Sequence, residues 1–178
     1  MLRVPVDVIP ADIDEARIAA GLEPIGAVQR VARAKATAVP GAGRPVLSAD
    51  TLVVHDGEAL GKPIDRADAI AMLERQSGSV VQVITAVALR RPDDSIDDRL
   101  AISTLSIDDL DRATIAEYVA TGAADDKAGA LAVQGEAKHF VTIVDGSRSN
   151  VVGLPLAETI ELLGGAGIIV EDPPASAL

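Results

Sequence analysis

An aspartate in Ser48-Ala49-Asp50-Thr51, a lysine in Gly61-Lys62-Pro63, and a second lysine in Asp126-Lys127-Ala128-Gly129 with Gln134-Gly135 close behind are the residues whose types and order point to chemistry. An acid at the end of an apolar strand is partly desolvated, and a bound metal there would also tune its protonation. Lys62 has its backbone restrained by Gly61 and Pro63, so its ammonium can be aimed at a phosphate rather than sampled freely. Such a set suits chemistry on a metal-bound polyphosphate. Hydrolysis there needs neutralised phosphate charge, a divalent ion and a water held in line and deprotonated. Mg²⁺ takes carboxylates and waters, so acids should recur near the site, and Asp50, Glu15 and Asp126 are the candidates. Each residue alone also has a plainer reading. An aspartate after a strand caps a turn, Glu15 suits the macrodipole of an early helical turn, Lys35 is a solvated helix residue and Gln134 an ordinary loop residue. His55 and His139 are not spaced as a metal pair.

The elements that must hold these groups can be read from periodicity. Residues 4–10 alternate as a short strand, followed by an acidic turn at residues 12–15 in which Asp12 and Asp14 are turn and cap residues. Val28, Val31, Ala32 and Ala36 fall on helical spacing over residues 25–39, placing Lys35 on a helix that ends at Pro40-Gly41. Residues 46–49 read as a buried strand leading into Asp50, continued by residues 52–55 to a turn at Asp56-Gly57. A helix over residues 66–76 follows Asp65 as N-cap. Residues 80–89 and 100–106 are β-branched and look like a hairpin. A helix is predicted over residues 108–120 with Ile107, Leu110, Ile115 and Val119 as its apolar positions, then a strand over residues 140–144 and a helix over residues 154–163. Ser149-Asn150 reads as a capping turn into that last helix, with Pro155 in its first turn. Interleaved strands and helices argue for an α/β architecture around a mixed sheet, as one domain over residues 1–178 with a flexible tail at residues 171–178.

Composition narrows the function classes. A net charge of −11 repels nucleic acid polymers, whereas a few lysines and a divalent cation suffice for one small triphosphate. Tyr118 and Phe140 are the only aromatic residues, so bases are not stacked on aromatic platforms and recognition rests on polar contacts. Cysteine is absent, which removes disulfides, thiolate nucleophiles and cysteine-based zinc sites. No apolar run is long enough to span a bilayer and no signal-peptide pattern opens the chain, so no membrane association and a cytoplasmic location are expected.

Taken in order, these segments resemble the Maf family of nucleoside triphosphate pyrophosphatases over residues 7–163, including Asp12-Ile13-Asp14-Glu15 and Ser149-Asn150-Val151-Val152-Gly153-Leu154-Pro155. The resemblance implies a curved mixed sheet flanked by helices, in two lobes with a central cleft, as in inosine triphosphatase-like folds. It implies Asp50 as water-activating base or metal ligand, Glu15 as a metal ligand, and Lys35, Lys62 and Lys127 on the polyphosphate. Thr51 and Gln134 match positions that tune base selectivity. The donor and acceptors of Gln134 complement a uracil or thymine edge. The implied activity is hydrolysis of dTTP, UTP or modified pyrimidine triphosphates to monophosphate and pyrophosphate, with Mg²⁺ or Mn²⁺ as cofactor and a homodimer by analogy.

Departures from the family pattern are also visible. That pattern opens with an apolar strand and a Ser-x-Ser-Pro-Arg-Arg loop, whereas Met1-Leu2-Arg3 passes directly to residues that align with its second strand. Leu131-Ala132 stands where Tyr-Gly is usual, and Ser147-Arg148 where Asp-Tyr is common. Losing one preorganised donor costs about 100-fold to 1,000-fold in rate, which sets an alternative expectation: a degenerate, non-catalytic homologue acting as nucleotide binder or interaction protein.

Overall fold

The β-branched run at Val80–Arg90 forms strand β3, the middle of a five-stranded sheet ordered β2-β1-β3-β4-β5. The computed structural model describes residues 4–170, so the tail read at residues 171–178 lies outside the described residues. β1 is Val46–His55, β2 Glu58–Leu60, β4 Ile96–Ile107 and β5 Val141–Asp145. The α/β class stands, and the mixed sheet expected from interleaving takes a form in which every pairing among the described strands is antiparallel. Short turns join β1 to β2 and β3 to β4, and short turns permit only antiparallel neighbours.

Alternation sorts the side chains of the sheet. Val54, Ile84, Ala86 and Ala88 share one face with Val28, Ala32 and Ala36 of α2, Pro24–Ala38. Pro24 occupies the first helical turn, where its missing N–H costs nothing, and Arg90 donates to the carbonyls of Ala36 and Val39 at the other end. On the opposite face, Val87 and Leu89 pack on Leu162 and Leu163 of α6, Leu156–Gly165. Further along that face, Val53, Val83 and Leu105 pack with Leu73 of α3, Arg66–Gln76, and with Tyr118 of α4, Arg112–Ala120. Burying each such Val or Leu contributes about 1.5 to 3 kcal/mol, so these clusters fix the frame.

Three expectations change. Residues 4–10 form no strand: Val6 and Val8 are 74% and 89% exposed, and Asp7 reaches Arg44 at 2.7 Å instead. Alternation supplies two faces, but a strand also needs a ladder, and Pro5 and Pro10 withhold donors from one. Ile107 ends β4 and Leu110 lies in the connection, because the Asp111 carboxylate accepts from Thr114 N at 2.8 Å and starts α4 at Arg112. Asp50 stands inside β1 and not beyond a strand, since its register with β3 runs unbroken from Val46 to Val54. Among the described residues β2 covers only Val53 to His55 on the other edge of β1, which leaves the backbone edge beside Asp50 without a strand partner.

Candidate active site

The candidate side chains fall into three groups. The first is built by α1, Glu15–Ala19, which packs on α2. Asp14 caps α1 by accepting from Arg17 N at 3.0 Å, and this fixes Glu15 as its first residue. Asp50 shares its sheet face with Val54, under α2, and Ser48 on the same face donates to Ala32 O at 2.7 Å. Lys35 of α2 therefore reaches both acids: its Nζ lies 2.8 Å from Asp50 Oδ1 and 2.9 Å from Glu15 Oε1.

Burial and charge act against each other here. Burial pushes the Asp50 carboxyl above its ordinary range, and the Lys35 ammonium reverses only part of that. Lys35 loses by burial as well, but hydrogen bonds to Asp50 and Glu15 outweigh it and hold the ammonium above its usual value. The Asp50 side chain keeps 10% of its surface accessible, and among the described residues its Oδ2 makes no side-chain hydrogen bond.

The two carboxylates also fit a divalent cation of the Mg²⁺ type. Mg²⁺ is usually held by one or two carboxylates, waters and the substrate's own phosphates, and Glu15 and Asp50, both in contact with the Lys35 ammonium, supply such an incomplete set. Among the described residues no group of three or more metal-ligating side chains exists, so substrate oxygens would have to complete the shell.

Lys62 and Lys127 form the second group. Gly129 N donates to Gly61 O at 2.9 Å, which brings the two lysine-bearing loops together. Lys127 Nζ sits 2.6 Å from Asp126 Oδ1, and this contact, with the charge of Lys62 adding to it, holds the Asp126 carboxyl below its ordinary range. Leu60 pairs with Val53, and Gly129, with φ +62°, approaches Val53 so closely that a Cβ would meet it at 3.0 Å. The loop bearing Lys127 therefore packs on the Val53 face of β1, opposite the face that carries Asp50, and among the described residues neither lysine is paired with Asp50. Two buried side chains missed by sequence reasoning hold their loop: Gln76 donates to Gly129 O at 2.8 Å, and the Tyr118 hydroxyl donates to Ala130 O at 2.8 Å while accepting from Ala132 N at 2.8 Å.

Gln134 opens the third group, a cleft of about 310 Å³ lined by Val133, Lys138, Ile143, Arg148 and Val152 among others. Thr51 does not line it. Its hydroxyl meets Thr85 Oγ1 at 2.9 Å and begins a polar row between the two apolar clusters of that face. Thr85 hydrogen-bonds Asn150 O at 3.3 Å, and Asn150 Nδ2 donates to Val83 O at 3.1 Å and Ser103 Oγ at 2.8 Å. Asn150 thus pins α5, Arg148–Val151, to the sheet instead of capping a helix, while Ser149 Oγ accepts from Leu156 N at 3.2 Å as expected. Pro155 is the N-cap of α6. The signal available for this row was Thr85 in the middle of the apolar run at residues 83–89 and Ser103 at a position of β4 that alternation turns to the same face. A larger cavity of about 480 Å³ between α1 and α2 is lined by Ile13, Asp14, Arg17 and Arg30 among others and by none of the candidate site residues.

The family model described as Maf-like protein matches residues 1–166. The chain belongs to the Maf family. Curated relatives align over most of the chain: a protein of Anaeromyxobacter dehalogenans (strain 2CP-C) named dTTP/UTP pyrophosphatase is 49% identical over 169 residues, covering 93% of this chain and 86% of its own. Proteins of the same name from Geobacter sulfurreducens and Hyphomonas neptunium are each 43% identical, covering 93% and 92% of this chain and 88% and 85% of their own. In this Maf chain no helix among the described residues is long and apolar enough to cross a membrane.

Proposed function

We propose that this protein is a nucleoside triphosphate pyrophosphatase that hydrolyses dTTP, UTP or modified pyrimidine triphosphates to the monophosphate and pyrophosphate. The observation that carries the reading is Asp50: a largely buried carboxylate, raised toward its protonated form, bridged through Lys35 to Glu15 on a stretch of β1 whose outer edge has no strand partner among the described residues. The names of the relatives support the substrate class.

Glu15 and Asp50 would hold a divalent cation, Mg²⁺ or Mn²⁺, which when bound neutralises phosphate charge and eases deprotonation of water. Asp50 Oδ2 takes the proton of the attacking water as the water oxygen bonds to phosphorus and the bond joining the α and β phosphates breaks. Lys35 keeps Asp50 oriented through Oδ1, so the base cannot rotate away from the water. Lys62 and Lys127 balance charge that builds on the departing pyrophosphate. Gln134 reads the edge of the base with one donor and one acceptor, and Thr51 fixes the strand beneath. The same proposal includes a homodimer acting in the cytoplasm on free nucleotides. No observation favours a non-catalytic nucleotide binder.

Incubation with dTTP, UTP, dCTP and ATP in the presence of Mg²⁺ or Mn²⁺, with products separated by chromatography, tests the reading. Monophosphate and pyrophosphate should appear in equal amounts from dTTP and UTP, and Asp50→Ala should abolish them. Orthophosphate as the first product, or an Asp50→Ala protein as active as its parent, would sink it.

A further inference from the structure

A nucleobase is normally gripped on its flat face as well as at its edge, and stacking tolerates any base because every base has a π-face. Neither aromatic ring of this chain is placed for that. Tyr118 and Phe140 are 6% and 7% exposed and pack edge to face at 5.2 Å in the core beneath α4. The cleft at Gln134 has apolar walls from Val133, Ile143 and Val152, with Lys138 and Arg148 at its rim. Among the described residues neither cation takes part in an ion pair, in a chain that carries a net charge of −11. They differ in shape. An ammonium is a compact, strongly hydrated point, whereas a guanidinium is planar, weakly hydrated and stacks on rings.

The backbone under Arg148 is fixed to a degree unusual for an exposed cation. Ser147 N donates to Ser103 Oγ at 3.1 Å, and the buried Asn150 side chain ties α5 to β3 and β4. At one end Gly146, φ +90°, passes so close to Ser103 that a Cβ would lie 2.3 Å from Oγ. At the other end a Cβ on Gly153 would lie 3.3 Å from Thr51 Oγ1, so the segment bearing Arg148 rests directly on the residue after Asp50. A side chain rooted on so constrained a turn loses little further freedom when it grips a ligand.

We infer that Arg148 is the base-stacking, specificity-determining residue of this cleft, its guanidinium plane lying on the face of a pyrimidine whose edge meets Gln134. The inference rests on the nucleotide reading above and deepens it. The cleft, at about 310 Å³, is at the small end of ligand pockets and suits a single ring with part of its sugar. In this chain a guanidinium takes over a task commonly given to an aromatic side chain.

Equilibrium binding of UMP and of ribose 5-phosphate, measured by calorimetry on the full chain and on Arg148 variants, tests the stack without requiring turnover. Arg148→Ala should weaken UMP about tenfold and leave ribose 5-phosphate unchanged, because only the first has a ring to stack. Arg148→Tyr, planar and uncharged, should restore UMP to within about threefold, while Arg148→Lys, charged and non-planar, should resemble the alanine variant. Thermal unfolding of each variant should match the parent, since the side chain is exposed. Rescue by lysine and not by tyrosine, equal loss of both ligands, or no loss at all would overturn the inference. A protein that hydrolyses UTP yet binds UMP indifferently to Arg148→Ala keeps the enzymatic reading and loses the stack. One that binds UMP through Arg148 but releases no pyrophosphate does the reverse.

Discussion

Lys35 Nζ lies 2.8 Å from Asp50 Oδ1, an ion pair between α2 and the middle of β1 in which the acid is 10% and the base 19% exposed. The pair holds a carboxylate where burial disfavours its charge, which costs stability. Because the folded pKa of Asp50 is raised, the folded state binds more protons than the unfolded one between the ordinary value of 3.8 and the raised value. Stability therefore falls as pH rises through that window. Asp50→Asn removes the titration and should fold with stability within about 1 kcal/mol of the parent, or better, at pH 7. It should release no monophosphate. Urea midpoints from pH 4 to 7 check this, with the variant gaining on the parent as pH rises; a variant that loses ground instead would count against burial as the dominant cause.

Removing the other partner should have the opposite sign. Lys35→Met leaves Asp50 and Glu15 facing each other without a cation, at a cost of about 2 to 3 kcal/mol after allowing for partial exposure. The Lys35 pKa is raised in the fold, so its contribution is fully present below the ordinary 10.5 and is lost as pH climbs through the folded value. The gap between parent and variant in urea midpoint should accordingly be wide at pH 7 and narrow above pH 10.5. A gap that does not change with pH would mean that packing of the lysine stem, and not its charge, carries the effect.

How much of this was legible in the sequence depends on the range over which each feature is determined. The helix Arg66–Gln76 and its Asp65 cap, the β3–β4 hairpin and α2 are set by neighbours in the chain, and periodicity finds them. Lys35, Asp50 and Glu15 could be named as candidates, but their meeting at one ammonium required α1 to fold back on α2. The strand read into residues 4–10 failed because pairing is a property of two segments, and Arg44 takes Asp7 into an ion pair. Asn150 had the look of a cap. Its burial at 1% exposure against Val83 and Ser103, residues far away in sequence, is what gives it another task.

Gly146 makes the closest approach of any glycine among the described residues. A Cβ there would fall 2.3 Å from Ser103 Oγ and 2.7 Å from Ser103 Cα, at a φ of +90° that L side chains rarely adopt. Gly146→Ala should cost more than about 3 kcal/mol, combining backbone strain with overpacking. Ser103→Ala should not rescue it, because the clash includes the Cα and Cβ of Ser103 as well as its hydroxyl. Guanidinium unfolding of the single and double variants reads both outcomes. Full rescue by Ser103→Ala would place the conflict in the hydroxyl alone.

Tyr118 of α4 braces the lysine-bearing loop directly. Its hydroxyl donates to Ala130 O and accepts from Ala132 N, both at 2.8 Å, and burial holds it above its ordinary pKa so that it keeps the proton it donates. Ala130 adopts φ +60°, a strained conformation for a residue with a Cβ, and the two hydrogen bonds brace it from either side. Tyr118→Phe removes the hydroxyl while keeping the edge-to-face contact with Phe140, so about 1 to 3 kcal/mol should be lost from the two unsatisfied backbone groups. Since Lys127 and Gln134 flank this segment, relaxation of the loop should raise KM for UTP severalfold with kcat falling less, whereas a purely global destabilisation would leave KM alone at temperatures well below unfolding. Kinetics at 20 °C with a parallel unfolding curve separate the two, and an unchanged KM in a measurably destabilised variant would show that Tyr118 supports the core without positioning the loop.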